Sequence, residues 1–117
     1  MKILLVEDDD GISQIISYIL EEDGHRLFIV TQEEEVERVL LDEKIDIILM
    51  DVSLGGGDGG KIAKRLKKSK GKTVPIVLMS AHPDLEELCR KVGADGYLVK
   101  PFDISELLSI VHKFRAK

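Results

Sequence analysis

Residues 45–60 read IDIILMDVSLGGGDGG, and this stretch decides the fold. An apolar run, Ile47, Ile48, Leu49 and Met50, stops at a carboxylate, Asp51, and a glycine-rich stretch follows. Unbroken apolar runs of this length, bounded by turn residues, mark a central parallel strand covered on both faces. In an open α/β sheet, ligands bind beyond the carboxyl ends of the strands, so Asp51 stands where chemistry is expected. An aspartate that merely ends a strand is common. That plainer reading weakens because other strand-like runs end in chemically matched residues. ILLV (3–6) precedes Glu7 and Asp8, YLV (97–99) precedes Lys100, and IVLM (76–79) precedes the hydroxyl of Ser80.

Working outward, the chain alternates strictly. Residues 2–6 are strand-like and run into four acids, Glu7, Asp8, Asp9 and Asp10. From Gly11, the residues Ile12, Ile15, Ile16, Ile19 and Leu20 recur at helical spacing and predict one buried stripe. Gly24 stops that helix. Residues 26–31 predict a second strand. Glu33–Asp42 predicts a helix with Val36, Val39 and Leu40 inward and acids in the first turn, where the helix dipole favours them. Beyond the opening stretch, Asp58 or a neighbour leads into a helix with Ile62, Ala63 and Leu66 inward. Its outer side is basic, with Lys61, Lys64, Arg65 and Lys68 at helical spacing and Lys67, Lys70 and Lys72 besides. This reads as a solvated face rather than a docking site for an acidic partner. Residues 71–75 form a turn and 76–79 a fourth strand. Leu85, Leu88, Cys89 and Val92 make a helix stopped by Gly93. Residues 97–99 are a fifth strand, and Ile104, Leu107, Leu108, Val111 and Phe114 line a last helix. That helix runs to Lys117 without a linker, which fits a whole protein and a piece of a longer one alike.

At 117 residues, 44% of them apolar, the chain fits one domain over residues 1–117 with a core that needs no staples. Its 17 basic and 22 acidic residues give a net charge of −5, which argues against a nucleic-acid surface. The one cysteine, Cys89, excludes a disulfide framework and a cysteine-based zinc site, and its place on an apolar stripe reads as packing. The N-terminal apolar run ends at Val6, too short for a secretion signal or a membrane span. A cytoplasmic protein without membrane contact is expected.

Strands alternating with helices mean parallel strands joined by right-handed crossovers. The expected architecture is a doubly wound α/β sheet in the order 2-1-3-4-5, with strands one and three adjacent at the switch point. Neighbouring strands lie ~4.8 Å apart, so Asp8 and Asp51 would face one another with Glu7 close by. Two carboxylates ~4 Å apart repel by about 4 kcal/mol at the effective dielectric near a protein surface. Such a cluster needs a shared proton or a cation, and oxygen-only ligands shared with water suit Mg²⁺. Lys100 and Ser80 would flank the same hollow. A carboxylate beside a cation, a lysine and a hydroxyl can act as a nucleophile toward phosphorus and form an acyl phosphate.

LLVEDD (4–9), LMD (49–51) followed by Asp58-Gly59, MSA (79–81) and GADGYLVKPF (93–102) together resemble the response-regulator receiver domains of two-component systems, over essentially the whole chain. The resemblance implies a flavodoxin-like, CheY-like fold and a signalling domain that catalyses only its own phosphorylation and dephosphorylation. It makes Asp51 the acceptor of a phosphoryl group from a sensor histidine kinase or a histidine phosphotransfer protein. Asp8, Asp51 and the backbone carbonyl of Ser53 would hold Mg²⁺, with Glu7 acting through water; Mn²⁺ can substitute. Ser80 and the Ala81 amide would bind phosphoryl oxygens and Lys100 would pair with them. Tyr97 matches the switch aromatic, which with Ser80 would change the face of helix four, strand five and helix five. That face would meet a downstream output protein or effector domain, or a second copy of the chain. The Lys100–Pro101 bond is cis in the family.

The pattern departs from the family at Gly55, Gly56 and Gly57, where a proline and a bulky apolar residue are usual. The residues from 54 to 59 are therefore expected to move without metal and to tighten when Mg²⁺ and phosphate bind. Gly96 and Ser109 replace an aspartate and an arginine usual in the DNA-binding subfamily, so dimerisation of that type is not implied. A flavin-binding electron carrier would share the architecture, but Glu7-Asp8-Asp9-Asp10 would repel its phosphate. A phosphatase of the haloacid-dehalogenase kind needs a second aspartate where Ser53 stands. A degenerate receiver that binds partners without phosphorylation is disfavoured because every site residue is present. His82, just beyond Ala81, reads as an exposed loop histidine that overlooks the site.

Overall fold

The computed structural model describes residues 1–53, 58–68 and 74–115. In chain order these are β1 (Lys2–Val6), α1 (Asp10–Glu22), β2 (Arg26–Val30), α2 (Glu33–Asp42), β3 (Ile47–Asp51), α3 (Gly59–Lys68), β4 (Ile76–Ser80), α4 (Leu85–Val92), β5 (Gly96–Val99) and α5 (Ile104–Arg115). The strands form one parallel sheet in the order β2-β1-β3-β4-β5. The expected loop behaviour at Leu54 and the three glycines, and the expected turn at 71–73 with Lys70 and Lys72, lie outside the described residues.

Each apolar run serves two cores because successive strand side chains point to opposite faces. Leu4, Val6, Ile48, Met50, Ile76 and Leu78 pack with Val36, Ile62, Ala63, Leu66 and Leu85 on the side of α2, α3 and α4. Ile3, Leu5, Ile47, Leu49, Val77 and Met79 pack with Ile16, Leu20, Leu107 and Val111 on the side of α1 and α5. Apart from Lys2, Asp51 and Ser80 at their ends, β1, β3 and β4 are therefore apolar on both faces, which is why their sequences show no alternation.

Local signals set the helix ends. Asp9 caps α1 by accepting from the Ile12 N–H at 3.0 Å, and Asp58 Oδ1 accepts from the N–H groups of Gly60 and Lys61 at the start of α3. Gly24 and Gly93 follow α1 and α4 with φ of +92° and +79°, a region that suits glycine. Cys89 is buried in α4, and its Sγ lies 3.5 Å from the carbonyls of Ala94 and Gly96, as packing predicts. Burial pushes its thiol above the ordinary range.

Two expectations need correction. Ile15 is 62% exposed, although helical spacing puts it on a buried stripe, and Ile104, one of the apolar residues that line α5, is 57% exposed. A helix packed on a twisted sheet covers only part of an apolar stripe that wide, and these two lie at its margin. Ile110 is half-buried and packs against the core on the side of α1 and α5.

Candidate functional site

The sheet register assembles the site. Val6 pairs with Met50, so one residue on, Glu7 comes level with Asp51; both are buried. Asp8, expected to face Asp51, lies one step further on the exposed rim. Carboxylate oxygens of Glu7, Asp8 and Asp51 nevertheless lie within 4.8 Å of one another. The four-acid run thus divides its labour: Glu7 enters the pocket, Asp8 borders it, Asp9 caps α1, and Asp10 occupies the first helical turn.

On the other flank Ser80 pairs with Val99, and the Lys100 N–H donates to the Ser80 carbonyl at 2.8 Å. The Lys100 ammonium then reaches back between the carboxylates, 3.2 Å from Glu7 Oε1 and 3.4 Å from Asp51 Oδ1. The Ser53 N–H also points to Asp51 Oδ1, at 3.3 Å. Burial, and then the charge of Asp51, raises the Glu7 carboxyl above the usual carboxylate range; the Asp9 N–H and Lys100 offset only part of this. Burial alone would lower Lys100, but Asp51 and Glu7 outweigh it and hold the ammonium above its ordinary value. Three carboxylates therefore meet one ammonium, and all the anionic donors are oxygens. That excess of buried negative charge fits a hard divalent cation.

The remaining expected residues take definite places. The Ser80 hydroxyl is buried and accepts from the His82 N–H at 3.0 Å. Ala81 is exposed and, with Lys100, Pro101, Phe102, Ile12, Ile15 and Ile16, lines an open groove of about 350 Å³ beside the pocket. The Lys100–Pro101 bond is cis. Tyr97 is 37% exposed on β5. It pairs with Leu78, two residues before Ser80, so by strand alternation Tyr97 and Ser80 share the sheet face covered by α4. His82 is turned to local use: its Nδ1 accepts from the Asp84 N–H at 3.0 Å, just before α4.

Two supporting residues carry no role of their own in the sequence motifs that contain them. Gly59 has no room for a side chain, since a Cβ there would stand 2.1 Å from the Asp51 carbonyl oxygen. Its N–H donates to Val52 O at 2.9 Å, clamping the start of α3 onto the end of β3. The Asp-Gly pair retained after the glycine run was the signal. Asp95 accepts from the Ile76 N–H and from Lys67, both within hydrogen-bond distance, and so fixes the entry to β4. Gly96 lies under α5, where a Cβ would meet Ile110 Cδ1 at 3.4 Å.

A parallel sheet whose strand ends gather three carboxylates, a lysine and a hydroxyl defines a class of doubly wound protein with an acidic pocket at its switch point. The model of the response regulator receiver domain matches residues 3–112, and the chain belongs to that family. It is 38% identical over 109 residues to an uncharacterized transcriptional regulatory protein, YbdJ, of Bacillus subtilis, covering 92% of this chain and 47% of that one. It is 34% identical over 114 residues to the cell cycle response regulator CtrA of Brucella ovis, covering 96% and 49%. The chain thus spans about half the length of these curated relatives. Among solved structures, the chemotaxis protein CheY4 of Vibrio cholerae superposes with a TM-score of 0.87 at 28% identity, covering 97% of each chain. The receiver domain of sensor histidine kinase PA1611 of Pseudomonas aeruginosa does so at 0.86 and 31%, covering 99% of this chain and 98% of that one. That structure has magnesium coordinated in its active site cleft.

Proposed function

We propose that this receiver accepts a phosphoryl group on Asp51 and relays the event through the face formed by α4, β5 and α5. The observation that carries the reading is the buried pair Glu7 and Asp51 with Lys100 between them. An Asp51 carboxylate oxygen attacks phosphorus, the bond from phosphorus to the donor's imidazole nitrogen breaks, and the imidazole keeps the electron pair. The product is an acyl phosphate, which water later cleaves to the carboxylate and inorganic phosphate. Lys100, already at Asp51, balances charge on the transferred oxygens, and the Ser80 hydroxyl and Ala81 N–H supply hydrogen bonds. Asp8, Asp51 and the Ser53 carbonyl would hold Mg²⁺, with Glu7 acting through water. The ion supplies further neutralisation of phosphoryl charge. The donor is a sensor histidine kinase or a histidine phosphotransfer protein.

The test is labelling by acetyl phosphate with and without Mg²⁺. Wild type should label only with Mg²⁺ or Mn²⁺, Asp51→Asn should not label, and Asp9→Asn should behave as wild type, since asparagine caps helices as well as aspartate. Undiminished labelling of Asp51→Asn overturns the assignment.

Output follows from the shared face of Ser80 and Tyr97. The Ser80 hydroxyl leaves the His82 N–H to bond a phosphoryl oxygen, and the space it vacates is open to Tyr97 rotating inward. A partner or a second copy of the chain should then bind more tightly when beryllofluoride occupies the site, and Tyr97→Ala should blunt the gain. Unchanged affinity and unchanged nuclear-magnetic-resonance shifts over residues 85–114, with the mimic bound, exclude this route.

A further inference from the structure

At the opposite end of the strands, two of the chain's three histidines converge on one carboxylate. Asp23 follows the last turn of α1, His25 directly precedes β2, and His112 lies in the last turn of α5. Asp23 Oδ2 stands 2.8 Å from His25 Nε2 and 2.7 Å from His112 Nε2. The ring centroids are 6.5 Å apart and the planes inclined at 53°, so both rings present an edge nitrogen to the same oxygen. The His25 side chain is almost wholly buried, at 1% exposure, whereas that of His112 is 41% exposed. The cluster is thus anchored on one side and open on the other.

From this we infer a second metal site, with Asp23, His25 and His112 as ligands for a borderline divalent ion such as Zn²⁺. Two imidazole nitrogens and one carboxylate oxygen are a donor set for Zn²⁺ rather than for Mg²⁺. Bond lengths of about 2.0–2.2 Å at a tetrahedral centre place ligand atoms roughly 3.3 Å apart. The present contacts must therefore open by about half an ångström, a movement available to the exposed His112. A fourth position is left for water. The field is favourable as well: α1 ends there with Glu21 and Glu22 and no basic residue in its last turn, so its carbonyl end is uncompensated. Lys113 and Arg115 of α5 are the opposing charges nearby in sequence. The Met1 nitrogen lies 3.1 Å from His25 Nδ1, so the ring is held at both of its nitrogens.

The two metal sites are separable. Glu7 follows one end of β1 and Met1 precedes the other, and five strand residues span about 17 Å. The experiment is a Zn²⁺ titration of the untagged chain by calorimetry, repeated with Co²⁺ to read its visible ligand-field absorption. Asp51→Asn serves as a background in which the acidic pocket is weakened. Wild type and Asp51→Asn should each bind one Zn²⁺ at the histidine cluster with matching affinity. His112→Gln, at an exposed position that threatens no core packing, should weaken binding about tenfold or more, and His82→Gln should not. Zn²⁺ affinity that is equal in wild type and His112→Gln, or that disappears in Asp51→Asn, overturns the site. Absence of Co²⁺ ligand-field bands in wild type does so too, and leaves the cluster as a hydrogen-bonded clasp.

Discussion

Lys100 bridges two carboxylates that burial would otherwise set against each other, and its position is fixed by backbone pairing of the preceding residue with β4. Removing one partner of a buried charge cluster leaves the other charges uncompensated. Lys100→Met keeps the apolar stem and removes the ammonium. Without Mg²⁺ this variant should lose about 1–3 kcal/mol of stability. Added Mg²⁺ should restore more of its melting temperature than wild type gains, because the ion no longer competes with a fixed cation. Phosphorylation should slow at the same time. Melting curves with and without Mg²⁺ check this, and an identical Mg²⁺ response in the two proteins contradicts it. The site was legible at this scale because its residues directly follow unbroken apolar runs. The partition of the four acids was not legible, since only the register at Val6 and Met50 decides which of them turns inward.

Between elements, the corner from β3 to α3 sets how Asp51 is held. The Gly59→Ala Cβ would collide with backbone, which cannot yield as a flexible side chain does. The start of α3 must then move away from the end of β3. Overpacking of this kind typically costs about 1–3 kcal/mol. Urea denaturation should show that loss, accompanied by slower labelling of Asp51; a variant with wild-type stability and labelling would rule out the clamp. Helix and strand order could be read from periodicity and from the stops at Gly24 and Gly93. The exposure of Ile15 and Ile104 could not. Helical spacing tells which face of α1 or α5 turns inward but not how far the sheet extends beneath it. Nor does periodicity show that His25 and His112, from distant parts of the chain, meet at Asp23.

Across the whole molecule, the pocket draws on four strand ends, and its longest contact joins residues 93 positions apart, Glu7 and Lys100. No single βα unit contains it. Competence for phosphorylation should therefore vanish in the same cooperative urea transition as helicity, with matching midpoints by beryllofluoride binding and circular dichroism. Early loss of binding, ahead of helicity, would show that the β5 edge opens independently. Asp51 and Lys100 stand 49 positions apart, so a growing chain carries the carboxylate before the balancing ammonium has been added. At about 5–20 residues per second, seconds separate the two. The geometry of one lysine thus sets an order in time: the carboxylate pocket gains its balancing charge only after the fifth strand has been made.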